Sequence, residues 1–220
     1  MSFRKVEKVI FVMISLFLVI GVYFYPLLPE KMASHWSIEG EVDGYVSKFW
    51  GLFLFTFVFA GIALLLILVP RIDPLKTNIE EFRRYYDRFI IIFSFLFLFI
   101  YLQTIFWNLG VQISPLISLP IGVGLLFFYI GVLCENAKRN WFIGVRTPWT
   151  LSSDKVWEKT HKIGGKLFRI AGLIAVLGVL FQRYVFILII LSVIVVTAYT
   201  IVYSYFEYRK EMKQRLTEEG

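Results

Sequence analysis

Six long apolar segments constrain this 220-residue chain more than any other feature. Most contain about 20 consecutive apolar residues, the length that an α-helix needs to cross roughly 30 Å of hydrocarbon. Apolar residues make up 58% of the chain, more than a water-soluble domain of this size can bury. The sequence therefore predicts an all-α polytopic integral membrane protein with six transmembrane helices. The predicted spans are 9–28, 49–70, 89–110, 115–134, 165–182 and 184–206.

The positive charges predict how these spans are oriented. If the chain crosses six times, all but three of its 23 lysines and arginines fall on one side, and the exceptions are Lys31, Lys48 and Arg183. Loops rich in lysine and arginine face the cytoplasm. We therefore expect a multi-pass protein of the cell membrane with both termini in the cytoplasm. Its net charge of +7 indicates contact with membrane lipids rather than direct nucleic-acid binding.

The loops divide the chain into two predicted units within one compact membrane domain. Residues 1–70 would form an N-terminal two-helix unit, and residues 71–220 a four-helix unit. Each unit contains one polar stretch rich in aromatic residues, and we name the two stretches outer and inner after their predicted sides. The sequence leaves open whether the protein forms a homo-oligomer.

The outer stretch, 26–45, is predicted to be a loop between the first two spans. A histidine in it is followed by carboxylates four, six and eight positions later. Such a group could bind a ligand or peptide, hold a divalent metal such as zinc, or make structural contacts in a cap on the bilayer. The candidate ligand or peptide-binding residues are His35, Trp36, Glu39, Glu41, Asp43 and Tyr45, of which His35 and Asp43 are also candidate metal ligands.

The inner stretch, 140–162, is predicted to include a helix that is capped by a serine at 152–153 and ends at the glycine pair 164–165. Residues spaced i, i+4 and i+7 in this helix share one face, which could be a metal site, an acid–base cluster, a docking surface or a solvated face. The candidate metal ligands on that face are Asp154, Glu158 and His161. The candidate docking or structural residues are Asn140, Arg146, Thr147, Trp149, Trp157 and His161.

Both stretches resemble known families. The outer run, with Ser34-His35-Trp36 and Asp43-Gly44-Tyr45, resembles a small membrane domain of uncharacterised function. The inner run resembles the SdpI immunity family, in which the two runs occur together. The residues of that second resemblance are Asn140, Gly144, Arg146-Thr147-Pro148-Trp149-Thr150, Trp157 and His161, with Asp73-Pro74 ahead of them.

The resemblance implies a function in immunity and signal transduction. Members of this family protect a cell against a secreted toxic or antimicrobial peptide, and the best-known member holds a cytoplasmic repressor at the membrane. The resemblance assigns no catalytic residue. Two other interpretations stay open: a metal-dependent membrane hydrolase that uses a histidine–carboxylate cluster, and a small-solute channel. Neither stretch alone offers a recognised set of nucleophile, base and orienting group, which favours a protein that is not an enzyme and that needs no cofactor.

Overall fold

The computed structural model describes residues 4–218 and is mainly α-helical. Six helices in that range contain 20 residues or more: α1 (Lys5–Phe24), α2 (Lys48–Ile72), α4 (Arg83–Asn108), α5 (Pro115–Asn136), α7 (Asp154–Leu177) and α8 (Val185–Glu218). The shorter elements are β1 (Lys31–Trp36), β2 (Val42–Ser47), α3 (Lys76–Glu81) and α6 (Pro148–Ser152), with 3-10 turns at Tyr25–Leu27 and Gly178–Tyr184.

Five stretches of the described chain are long and apolar enough to cross a membrane: Lys5–Leu27, Lys48–Ile72, Arg83–Asn108, Pro115–Asn136 and Asp154–Glu218. The last stretch contains both α7 and α8, which fold back on each other at the second 3-10 turn. Their pairing is antiparallel, since Lys155 contacts Gln214 while Lys159 contacts Glu207. The prediction of an α-helical membrane protein is confirmed, whereas six crossings and the cytoplasmic side of the termini stay predictions.

Aromatic side chains join the first three long helices, α1, α2 and α4. Phe17 of α1 stacks on Phe59 of α2 with ring centroids 4.7 Å apart, and it contacts Tyr101 of α4 at 5.0 Å. The hydroxyl of Tyr101 also donates to the backbone carbonyl of Phe17 at 3.3 Å. All three rings are fully buried. Because lipid is as apolar as these side chains, close packing and hydrogen bonds hold such helices together.

Glycines allow α5 and α7 to cross at close range. A Cβ added to Gly131 would lie 2.4 Å from the carbonyl oxygen of Gly165, and one added to Gly124 would lie 2.7 Å from that of Gly172. Small residues permit this backbone approach between membrane helices. α7 runs unbroken from Asp154 through the glycine pair 164–165 to Leu177. The prediction that a helix ends at this pair is wrong, because these glycines serve packing rather than termination.

The outer stretch contains an antiparallel hairpin, β1–β2, where the sequence predicted a loop. Gly40 forms its turn with a φ of 84°. Asn108 at the end of α4 holds β1 in place: its side chain accepts the backbone N–H of Ala33 at 2.7 Å and donates to the carbonyl of Ala33 at 3.0 Å. This outer hairpin, residues 31–47, is the one departure from all-α structure in the described range.

The outer hairpin and the inner stretch lie at opposite ends of the helix bundle. The hairpin connects α1 to α2 and contacts the end of α4, whereas the inner stretch follows α5 and contacts Asp73, just beyond the end of α2. α2 has 25 residues, so at roughly 1.5 Å per residue the two ends are about 37 Å apart. Arg4 and the last turns of α8 lie at the inner end, where they contact Glu80 and Ser153.

Candidate functional site

Asn140 organises the backbone of the inner stretch. Its side-chain oxygen accepts the N–H groups of Phe142 and Ile143 at 2.9 and 2.6 Å. Its amide nitrogen donates to the carbonyls of Lys138 and Ile143, both at 2.9 Å. The residue is fully buried. Four backbone groups that would otherwise lack partners are satisfied by this one side chain, which therefore holds the loop in a single shape.

His161 is the second buried centre of the inner stretch. Its Nδ1–H donates to the carbonyl of Trp157 at 2.9 Å, and its Nε2 accepts the backbone N–H of Val145 at 3.0 Å. This pair of contacts requires a neutral ring with its proton on Nδ1. The ring also stacks on Trp157 with centroids 3.9 Å apart. Gly144 (φ 109°) passes so close that an added Cβ would lie 2.3 Å from Nε2.

Threonines and a tryptophan complete the network. The Thr147 side chain caps α6 by accepting the N–H of Thr150 at 3.1 Å, and its hydroxyl lies 3.0 Å from that of Ser204 on α8. The indole N–H of Trp157 donates to the carbonyl of Ala137 at 2.8 Å. Thr147, Thr150 and Trp157 are all buried. Of the six candidate docking or structural residues, four (Asn140, Thr147, Trp157 and His161) thus satisfy one another or nearby backbone groups and are inaccessible to a partner.

Two side chains of the N-terminal half bind backbone groups at the start of the inner stretch and just before it. The buried carboxylate of Asp73 accepts the N–H groups of Leu75 at 2.6 Å and Trp141 at 2.9 Å. Asn78 donates to the carbonyl of Arg139 at 2.8 Å. The sequence interpretation gave neither residue a contact with the inner stretch. The only available signal was the Asp73-Pro74 pair ahead of a helix, because the backbone groups that these side chains bind at Arg139 and Trp141 lie more than 60 positions away.

Arg146 and Trp149 are the candidates that remain accessible at the inner end. Arg146 is exposed and donates to the carbonyl of Trp141 at 3.0 Å. Trp149 is half-buried against Tyr205, with ring centroids 5.1 Å apart. Trp141 and Phe142 are exposed beside them. In a separate contact at the same end of the bundle, Arg4 donates to Glu80 at 2.8 Å, and this bond holds the pKa of the Glu80 carboxyl below its usual value.

The proposed inner metal ligands do not form a ligand set. Asp154, Glu158 and His161 line one polar cavity of 330 Å³. However, both ring nitrogens of His161 are engaged with backbone groups, and Asp154 pairs with Arg139 at 2.8 Å. Among residues 4–218, no group of three or more histidine, cysteine, aspartate or glutamate side chains is placed to hold a metal ion.

The outer hairpin displays its polar side chains instead of burying them. His35 and Asp43 face each other across the strands, with Nδ1 and Oδ1 2.5 Å apart and 72% and 48% of their side chains exposed. Glu39, Glu41 and Tyr45 are also exposed. Within residues 4–218 the carboxylates of Glu39 and Glu41 have no ion-pair partner. The hairpin tip is therefore an accessible acidic surface.

Below the hairpin lies an apolar groove of 610 Å³. Trp36 is half-buried at its upper edge, where it meets Trp107 edge-to-face at 5.4 Å. Side chains from the N-terminal helices and from α5 and α8 line the groove together, so it lies between the two predicted units. The lining includes Trp36, Trp50, Leu54, Ile100, Leu119 and Phe186.

Sequence comparisons connect both ends to known families. The model of the SdpI/YfhL protein family matches residues 136–204, the part that contains the inner stretch and most of α7 and α8. The model of a domain of unknown function (DUF1648) matches residues 12–60, which include the outer hairpin. The family resemblance predicted from the two stretches is therefore confirmed.

The similarity to this family extends beyond the matched domain. The chain is 24% identical over 200 residues to the immunity protein SdpI of Bacillus subtilis (strain 168), and the alignment covers 90% of this chain and 94% of that protein. No solved structure gives a significant match.

Proposed function

We propose that this chain is an immunity protein of the cell membrane that protects its host against a secreted, membrane-active peptide. We expect this peptide to bind at the outer hairpin. It is held rigidly by Asn108, yet its acidic side chains are exposed and leave bonding capacity unused. The similarity to an immunity protein over nearly the whole chain supports the same function.

The chemistry of the outer end favours a cationic, amphipathic peptide. Glu39, Glu41 and Asp43 offer negative charge at the tip, and complementary charge directs encounter and orientation. The groove beneath offers apolar and aromatic side chains to the apolar face of the same peptide. A peptide lying in the outer leaflet would meet both surfaces at once.

The proposal includes signalling to a cytoplasmic regulator at the inner end, where Trp141 and Phe142 are exposed. The inner stretch is bonded to the helices through Asp73 and Ser204, so a shift in helix packing would move it. Such a signal requires the peptide to bind two packing states with different affinity.

A survival assay tests this function. Bacillus subtilis cells that lack their own SdpI would express this chain or an empty vector. They would be exposed to wild-type culture supernatant and, separately, to a panel of synthetic cationic amphipathic helices. We expect at least tenfold higher survival with the chain for at least one of these peptides. Equal survival in every condition would contradict the proposal.

Matched variants locate the effect in the same assay. The double substitution Glu39→Gln/Glu41→Gln should lower survival about tenfold, whereas Glu158→Gln, an exposed carboxylate at the inner end, should leave it unchanged. A photoreactive amino acid at Phe142 should give a cytoplasmic crosslink that depends on the protective peptide. Full protection by the folded double variant would show that the hairpin tip is not the binding surface.

A further inference from the structure

A second groove, of 550 Å³, opens at the inner end between α5 and α8. α7 lies between these helices, because it packs on α5 through Gly131 and Gly165 and on α8 through Gly164, whose added Cβ would lie 3.1 Å from Thr200. The volume is within the roughly 300–1,000 Å³ of ligand sites. Its walls are mainly apolar and come from all three helices. They include Ile130 and Cys134 of α5, Phe168 of α7, and Thr197 and Ile201 of α8.

The groove extends from the inner stretch into the apolar part of the bundle. Thr147, at its mouth, contacts Ser204 of α8, and Thr197 lies seven residues before Ser204 in that helix. At roughly 1.5 Å per residue, this separation corresponds to a depth of about 10 Å. Thr197 and Ile201 are exposed on the surface of α8. The groove therefore opens sideways, where the acyl chains of a bilayer would surround the helix.

Arg146 and Trp149 stand at the mouth of this groove. Arg146 uses one of its five N–H donors on the carbonyl of Trp141, and within residues 4–218 it has no carboxylate partner. No aspartate or glutamate of the described chain lines the groove. A guanidinium with free donors binds phosphate through paired hydrogen bonds. Tryptophan is typical of the headgroup level of a membrane.

We propose that this groove binds one anionic phospholipid, with the phosphate at Arg146 and an acyl chain along Phe168 and Ile201. A lipid matches both parts of the site, the cationic mouth and the apolar channel that faces the hydrocarbon. A water-soluble phosphate compound would use the mouth alone, and an apolar peptide would leave the guanidinium unpaired. The site is independent of the proposed immunity function and gives a role to the Arg-Thr-Pro-Trp core of the family domain.

Native mass spectrometry of the purified full chain in detergent tests this site. The probes are dioleoyl-phosphatidylglycerol, which is anionic, and dioleoyl-phosphatidylcholine, which is zwitterionic. We expect the protein to retain one phosphatidylglycerol with about tenfold higher affinity than phosphatidylcholine. Arg146→Gln should remove this preference, and Arg146→Lys should keep part of it. Arg209→Gln is the matched control, because Arg209 is exposed at the same end and contacts Tyr205 outside the groove.

The apolar half of the site needs its own variant. Thr197→Phe points a bulky side chain into the groove from an exposed position and should lower retention of both lipids about tenfold. Unchanged retention of both lipids in Thr197→Phe would show that no acyl chain occupies the groove, which would contradict the proposal. Equal affinity for the two lipids, or equal losses in Arg146→Gln and Arg209→Gln, would overturn the proposal. Displacement of the lipid by millimolar glycerol phosphate would indicate a soluble phosphate ligand, and retention of a co-purified peptide in place of lipid would also refute it.

Discussion

The two ends of the bundle differ in where their polar side chains find partners. At the inner end, Asn140 and His161 are buried and bond to the backbone of their own stretch. At the outer end, His35 and Asp43 bond to each other in the open, and nearby carboxylates have no partner. Polar side chains therefore stabilise the fold at the inner end, whereas at the outer end they stay exposed to solvent.

The two histidines give the largest expected contrast. His161→Ala removes two backbone hydrogen bonds and a stacked ring, and should lower the free energy of unfolding by about 4 kcal/mol. His35→Ala removes one exposed pair and should change it by less than about 1 kcal/mol. Unfolding by sodium dodecyl sulfate in mixed micelles measures both values. Similar losses in the two variants would refute the contrast.

Two of the three positive-φ glycines in residues 4–218, Gly40 in the outer hairpin and Gly144 in the inner stretch, give a smaller difference. Gly144→Ala combines a strained backbone with a Cβ that meets the His161 ring, and should cost about 3 kcal/mol. Gly40→Ala strains the hairpin turn, but its new Cβ would lie 3.1 Å from the Leu116 side chain and meet no backbone atom, so about 1 kcal/mol is expected. The same unfolding assay applies. A loss at Gly40 as large as that at Gly144 would show that the hairpin is packed as firmly as the inner stretch.

The smallest effect concerns the contacts that hold each stretch. Asn108→Ala removes both bonds to Ala33 and should lower the free energy of unfolding by about 2 kcal/mol. Asn78→Ala removes one bond to Arg139 and should cost about 1 kcal/mol. Hydrogen–deuterium exchange of the Ala33 amide should rise in the first variant and stay unchanged in the second. Unchanged exchange in both would mean that β2 alone holds β1.

The helices were predictable because their apolar composition determines them. Four predicted spans coincide with α1, α2, α4 and α5, and the resemblance identified both stretches. The hairpin was missed because Lys31–Trp36 lacks clear alternation, and its anchor, Asn108, lies more than 70 positions away. The course of α7 was missed because a glycine pair has the same local signal whether it ends a helix or packs against one. Burial of His161 was likewise unpredictable, since its partner at Val145 is a backbone group.

Asp73 has a consequence for how such chains diverge. Its carboxylate bonds to backbone amides, at Leu75 and Trp141, rather than to any particular side chain. A chimaera that takes its first 74 residues from a distant relative would keep this joint as long as the aspartate is retained and position 141 is not proline, which has no backbone N–H. The sequences on the two sides of this joint can therefore diverge without breaking it, because it needs only the carboxylate and the backbone amides.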